Sequence, residues 1–326
     1  MKKLLSRIRS YGRLLKALNG FIYDFKRYYL YSAWKADMND IDLRNYHAVK
    51  VYHSLEKSMS FENRKEGSGW NSAFVLLDIL KIAKETGEIG YHDKAGRRVL
   101  NKFIGLDENK NTPQCGHIKA ELLNLDFDSL EDHGSKEYSA EEFNNGVLTS
   151  PESFFFSRYS LREFRTDYVD EELVMRAVSL AMKSPSVCHR QAWHVYHTME
   201  SSLIQKVLKY QSGNRGFGER VPNLMIVTTD MKAFMPGNEH FQHWIDGGMF
   251  SMSLVYALHS LGVASCCLNW SQSPSIDRLL RSSVKIKPNH TVMMMIALGW
   301  PKENNKVCIS ARRPVNEVYS ALQNQN

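Results

Sequence analysis

The apolar positions change period part-way along the chain. Over residues 1–35, Leu4, Leu5, Ile8, Tyr11, Leu14, Leu15 and Leu18 recur at helical spacing, with Lys3, Arg7, Arg13 and Lys16 between them. This predicts an amphipathic helix with a basic face. Such a helix can lie on an anionic membrane surface or pack on its own protein. The basic residues interrupt the apolar pieces, so no secretory apolar region forms, and no run reaches the roughly 18 apolar residues of a membrane span. Residues 36–135 read as mostly helical, with apolar-rich patterns over Trp70 to Ile82, Ala95 to Ile104 and His117 to Leu125. His53 and Glu56 are three apart and can meet on one helix face, whereas the adjacent Glu56 and Lys57 point apart. A pair of that kind holds an imidazole in place as readily as it activates one, and a structural histidine is the reading here.

Residues 133–152 gather Gly134, Ser135, Ser139, Asn144, Asn145, Gly146, Ser150 and Pro151. That composition predicts a linker and places a boundary between regions 1–150 and 151–326. Beyond it helices and strands alternate. Asp170 can cap a helix carrying Leu173, Val174, Ala177, Val178 and Ala181, which Pro185 stops. Trp193 to His197, Leu224 to Thr228 and Thr291 to Leu298 read as strands. Asp246 to Leu261 is apolar on nearly every face, as a helix in a core or a subunit interface would be. Strands between helices predict an α+β fold, an α/β sandwich with helices on the sheet faces.

Bulk composition narrows the function classes. The 326 residues have 43% hydrophobic and 24% charged side chains, as a soluble globular protein has. The net charge of +7 suits an anionic ligand and does not by itself imply nucleic acid, for which no binding signature occurs. The five cysteines, Cys115, Cys188, Cys266, Cys267 and Cys308, contain no C-x-x-C pair and are odd in number. They argue against a disulfide framework or a zinc site and favour a reducing cytoplasm, with peripheral contact at the inner face of a membrane left open by residues 1–35.

The candidate chemistry lies after residue 154. Arg158, Ser160 and Arg162 place two guanidinium forks and a hydroxyl within five residues, a donor set suited to phosphate. In an extended segment Arg158 and Ser160 share a side. A second basic cluster, Arg312-Arg313-Pro314, lies near the C-terminus. Adjacent Cys266 and Cys267 would face opposite sides of a strand, more simply as packing groups than as a redox pair. Met249, Met252 and Met293 to Met295 read as core filler, and Trp193 and Trp270 as either core or pocket lining.

The order of these features over residues 154 to 320 resembles the nitroreductase family of FMN-dependent oxidoreductases. Arg158-Tyr159-Ser160-Leu161-Arg162-Glu163-Phe164 is similar to the family's opening pattern. Pro185-Ser186-Val187-Cys188-His189-Arg190-Gln191-Ala192-Trp193 is similar to its Pro-Ser-x-x-Asn-x-Gln-Pro-Trp loop. Asp246-Gly247-Gly248, Leu261 to Ser265, Leu298-Gly299-Trp300-Pro301 and Arg312 to Pro314 follow in the same order. Residues 1–150 lie outside the resemblance.

The resemblance implies a central sheet flanked by helices, in a domain built across a homodimer. It implies FMN held at its phosphate by Arg158, Ser160 and Arg312, with Tyr159 and Arg313 beside them and Arg162 reaching the ribityl or the N1/O2 edge. Pro185, Ser186, His189 and Gln191 would come from the second subunit. Asn214 and Arg215 would lie against the pyrimidine, and the Cys266–Asn269 segment, with Cys267, Leu268 and Asn269, behind the ring. NADH or NADPH would visit as electron donor, and no metal is implied. The acceptor would be a nitroaromatic, a quinone or a dedicated metabolite. His189 and Ala192 depart from the family's Asn and Pro, and His189 can titrate where an amide cannot, which makes it the one candidate catalytic side chain. A rival reading is an accessory protein, flavin-binding or cofactor-free, tethered through its basic N-terminus to a membrane or partner.

Overall fold

The computed structural model describes residues 2–34, 37–65 and 67–324. The helical N-terminal region contains α1 (Lys2–Tyr31), α2 (Ile41–Met59), α3 (Trp70–Thr86), α4 (Tyr91–Ile104) and α5 (Pro113–Leu123). Local signals set these limits. Asp40 caps α2 by accepting from the backbone N–H groups of Asp42 and Leu43, and Thr112 caps α5 with Pro113 behind it. Gly87, in the left-handed conformation, ends α3. The apolar faces of α2 to α5 close on one core that includes Tyr52, Leu76, Leu80, Leu100, Phe103 and Ile118. Arg44 and Asp93 are both fully buried and bridge α2 to α4. Arg44 also donates to the carbonyl of Met38 at 2.9 Å, so its charge is not left unsolvated.

The expected linker contains one short helix, α6 (Ala140–Asn144), and the start of a second, α7 (Pro151–Ser157). Ser139 and Glu142 form a capping box, a signal that the polar composition had concealed. The chain then runs α8 (Glu171–Ala181), β1 (Trp193–Thr198), α9 (Ser201–Leu208), β2 (Asn223–Asp230), α10 (Gln242–Ser260), β3 (Ala264–Asn269), α11 (Pro274–Ser283) and β4 (His290–Gly299). The four strands form one antiparallel sheet in the order β1-β2-β4-β3.

Alternation along the sheet builds two cores. Leu224, Ile226, Leu268 and Met295 pack with α9 and α11 on one face. Met225, Val227, Ile296 and Leu298 pack with α8 and α10 on the other. All eight residues of β2 are buried, as expected of a strand covered on both faces. Trp193 is core, stacked on Phe250 with centroids 4.9 Å apart. α10 starts one turn before Asp246 and lies so close to the sheet that a Cβ on Gly247 would meet Met293 at 2.6 Å. Its outer face leaves Trp244, Ile245 and Met252 exposed.

The helical region docks on the sheet region through α2. Lys232, after β2, binds Asp40 at 2.7 Å and Asp42 at 3.1 Å, and the Tyr46 hydroxyl donates to Asp230 at 3.2 Å. α1 is held at its C-terminal half, where Tyr23 donates to Asp277 at 2.6 Å and Arg27 to the carbonyl of His290 at 2.8 Å. Tyr11, Leu14, Leu15, Leu18 and Phe21 are exposed. The side chains of residues 2–10, including Leu4, Leu5 and Ile8 of the apolar stripe, lie outside those described.

Candidate functional site

After α7 the chain turns extended at Arg158 and runs beside the start of β3. Ser160 forms a parallel bridge with Ser265, and the Leu161 N–H donates to the Ser265 carbonyl at 3.1 Å. Phe164 pins the far end in the core, against Gly299, where any Cβ would meet the phenyl group at 2.9 Å. The arginines before it are therefore fixed in register with the sheet. Arg158 is half-buried and Arg162 exposed, and neither pairs with a carboxylate among the described residues. Glu163, between them and Phe164, turns instead to Lys302 at 3.0 Å and Arg220 at 3.6 Å. Arg158, Tyr159 and Leu161 line a cavity of about 470 Å³ with His259, Ser265, Asn305 and Val307.

Strand β3 carries this wall toward the second group of candidates. Burial holds the Cys266 thiol above its usual value, against the pull of Arg162 and Arg158. Cys267 is pushed up to about 11 by its surroundings and by Cys266. Neither is a thiolate near neutrality, so a redox pair gains no support. Leu268 is core. At the strand's end the Gln211 amide donates to the Asn269 carbonyl at 3.1 Å, tying the 211–216 loop to β3. The Asn214 amide is turned inward and donates to the Leu208 carbonyl at 2.8 Å, while Arg215 is exposed beside it. Trp270 donates to Asp277 at 3.0 Å.

The third group is the 185–191 loop. Cys188, His189 and Gln191 have φ of 49°, 57° and 51°, left-handed values in residues that are not glycine. Strain of this kind persists only where the surroundings fix it, and it gathers at ligand sites and switches. Two backbone donors of the loop are fixed by side-chain acceptors. Ser186 Oγ accepts from the Gln191 N–H at 3.0 Å, and Asp246 Oδ2 from the Val187 N–H at 3.2 Å. Arg190, which the sequence reading passed over, is fully buried and binds both oxygens of Glu239 at 2.9 and 2.8 Å. A bidentate partner distant in sequence gives no local signal. His189 is exposed, and its Nε2 meets the Gln191 amide at 3.1 Å. Desolvation lowers its pKa, helped by His53, His133 and Lys183 and opposed by Glu56.

Arg312 bonds the nearby Ser310 carbonyl, and Arg313 is exposed in the extended tail. The tail approaches the first wall earlier, where Cys308 Sγ lies 3.6 Å from Arg162. The structure therefore aligns Arg158, Ser160, Arg162 and Cys267 to Asn269 along one strand edge, with Asn214 at its far end. Within the single chain, no hydrogen bond joins Arg312 or the 185–191 loop to that edge among the described residues.

Residues 156–214 match the nitroreductase family model. This segment is similar to that family in sequence. It includes both the Arg158–Arg162 wall and the strained loop. Among curated proteins, the chain is 23% identical over 152 residues to a provisionally named NADH dehydrogenase/NAD(P)H nitroreductase of Archaeoglobus fulgidus. That match covers 45% of this chain and 83% of the relative. It is 22% identical over 219 residues to the iodotyrosine deiodinase of Hydra vulgaris, covering 59% of this chain and 79% of the relative. A provisionally named nitroreductase from Desulfovibrio desulfuricans, solved in complex with FMN, is 18% identical. It superposes with a TM-score of 0.47 over 55% of this chain and all of its own. No helix among the described residues is long and apolar enough to cross a membrane.

Proposed function

We propose that the chain is an FMN-dependent oxidoreductase of nitroreductase type, in which residues 151–326 form the flavin domain and residues 1–150 a helical region joined to it. The carrying observation is the pair of guanidinium groups at Arg158 and Arg162, free of carboxylate partners among the described residues and flanking Ser160 on the β3 edge. Two unpaired cations and a hydroxyl fit a phosphate dianion. FMN, when bound, supplies the hydride chemistry.

The chain's own residues position and stabilise. Arg158, Tyr159 and Ser160 would hold the phosphate, with Arg312 and Arg313 closing from the tail. Arg162 would supply positive charge where negative charge develops on reduction. Cys267, Leu268 and Asn269 would form the wall behind the ring, with Asn214 and Arg215 at its edge. Pro185, Ser186, His189 and Gln191 would reach the site of a second copy in a homodimer, which accounts for their separation from the β3 edge within one chain. NADH or NADPH would be the donor, and a nitroaromatic, a quinone or a dedicated metabolite the acceptor.

The phosphate wall is testable directly. Arg158→Ala should purify with less than a tenth of the wild-type FMN content, because a buried or half-buried dianion loses a paired charge worth roughly 1.5–3 kcal/mol. A full complement of FMN in that variant would place the cofactor elsewhere.

A second reading, that of a tethered accessory protein, is favoured by one observation. The exposed apolar residues Tyr11 to Phe21 of α1 stand beside Arg13 and Lys16 on a helix held at its other end by Tyr23 and Arg27.

A further inference from the structure

The helical region meets the strained loop along α2, where Tyr46 packs beside Val187 and two histidine rings stack. His53 and His189 stack with centroids 5.7 Å apart and planes 26° from parallel. One turn along α2 from His53, Glu56 Oε2 accepts from the His53 Nδ1 at 3.2 Å. The other oxygen of Glu56 accepts the Gly134 N–H at 3.1 Å, so the carboxylate is fixed at both ends. The loop contacts already described hold residues 186, 187, 190 and 191. The ring of His189 is held by Gln191 on one side and His53 on the other. Its Nδ1 has no hydrogen-bond partner among the described residues.

We propose that His53, oriented by Glu56, is a positioning residue for His189, and that residues 37–135 are thereby part of the ligand site. The argument rests on the reading above, in which the 185–191 loop takes part in holding FMN. Three left-handed residues within four are strained, so the loop is a segment with cheaper alternatives. Removing one support lets it populate them. Affinity then falls in proportion to the fraction left in the competent shape. The sequence signal was the His53–Glu56 spacing, which alone reads as structural; the stack on His189, 136 positions away, gives it a role.

Two readouts on the full-length protein test this. One is the dissociation constant of FMN, from flavin fluorescence quenching on flavin-stripped protein. The other is the rate at which a maleimide alkylates Cys188, the loop's own thiol, followed by peptide mass spectrometry without FMN. His53→Ala should weaken FMN about tenfold and speed Cys188 alkylation about tenfold, as expected if the competent fraction falls to roughly a tenth. His53→Phe, which keeps a flat ring but loses the bond to Glu56, should be as impaired as Glu56→Ala. Glu56→Ala should mimic His53→Ala, and Glu56→Gln, which can still accept from His53, should not. If His53→Ala does not fold, the Glu56 pair decides alone. Unchanged Cys188 alkylation in His53→Ala or Glu56→Ala overturns the proposal. So does a failure of Glu56→Gln to keep both values within about threefold of wild type. Absence of FMN binding by the wild type would instead overturn the flavin reading, while the Cys188 rates would still decide whether His53 positions the loop.

Discussion

Several buried histidines are kept neutral, and this ties stability to pH. Burial lowers His290 to about 3, with His194, Lys287 and Arg281 adding to the shift. His243 and His92 fall to about 4, again chiefly through burial. His290 opens β4, and its Nδ1 is shared between the Tyr196 and Thr228 hydroxyls, at 3.0 and 3.1 Å. Each folded pKa lies below the unfolded value of about 6.5, so below that pH the unfolded chain binds more protons. The stabilisation is complete above about pH 6.5 and is lost as pH falls toward 4. The thermal midpoint should therefore drop by roughly ten degrees or more between pH 7 and pH 4.5, with a shallower slope in His290→Asn. A midpoint flat across that window would contradict the neutral-histidine picture. At this scale the sequence was readable where a residue's neighbours were local. Arg158, Ser160 and Phe164 could be picked out because a β-type segment fixes which side chains share a side. Burial of Arg190 on Glu239 and the left-handed φ at Cys188, His189 and Gln191 could not, since no glycine or asparagine marks those positions and the supports come from α10, its approach and α2.

Elements with a strong period or a clear cap were legible. α3, α8, β1, β2 and β4 fall within a few residues of where periodicity places them, although Asp170 stands at the start of α8 without a side-chain cap hydrogen bond. α9 and α11 were not anticipated, although Ser273 followed by Pro274 is a start signal, because their short amphipathic faces lie among polar residues. α1 carries a further prediction. With its exposed face of Tyr11, Leu14, Leu15, Leu18 and Phe21 and a basic flank, it should bind vesicles containing about 30% anionic lipid. Binding should weaken with salt, since each Lys or Arg near such a surface contributes about 1 kcal/mol. Flotation lost on deleting residues 1–22 would support the tether. No flotation of the full chain would remove it.

For the molecule as a whole, the fold class and the helical N-terminal region were readable from the shift in apolar period near residue 150. How the two regions meet was not, because the contacts of α2 with Lys232 and His189 join residues far apart in sequence. The same holds for the candidate site, whose strand-edge wall and strained loop share no hydrogen bond among the described residues. A homodimer would join them, and the exposed Trp244, Ile245 and Met252 of α10 offer an apolar face for it. Sedimentation should find a dimer, and a monomer that retains FMN would contradict a shared site.

The central claim is that this chain binds FMN and passes electrons through it. The direct measurement is the visible absorbance of the purified protein under anaerobic conditions, before and after NADH or NADPH. The account predicts a flavin spectrum that bleaches on adding the donor. A colourless protein that takes up no added FMN would contradict it and leave the tethered accessory protein as the better reading.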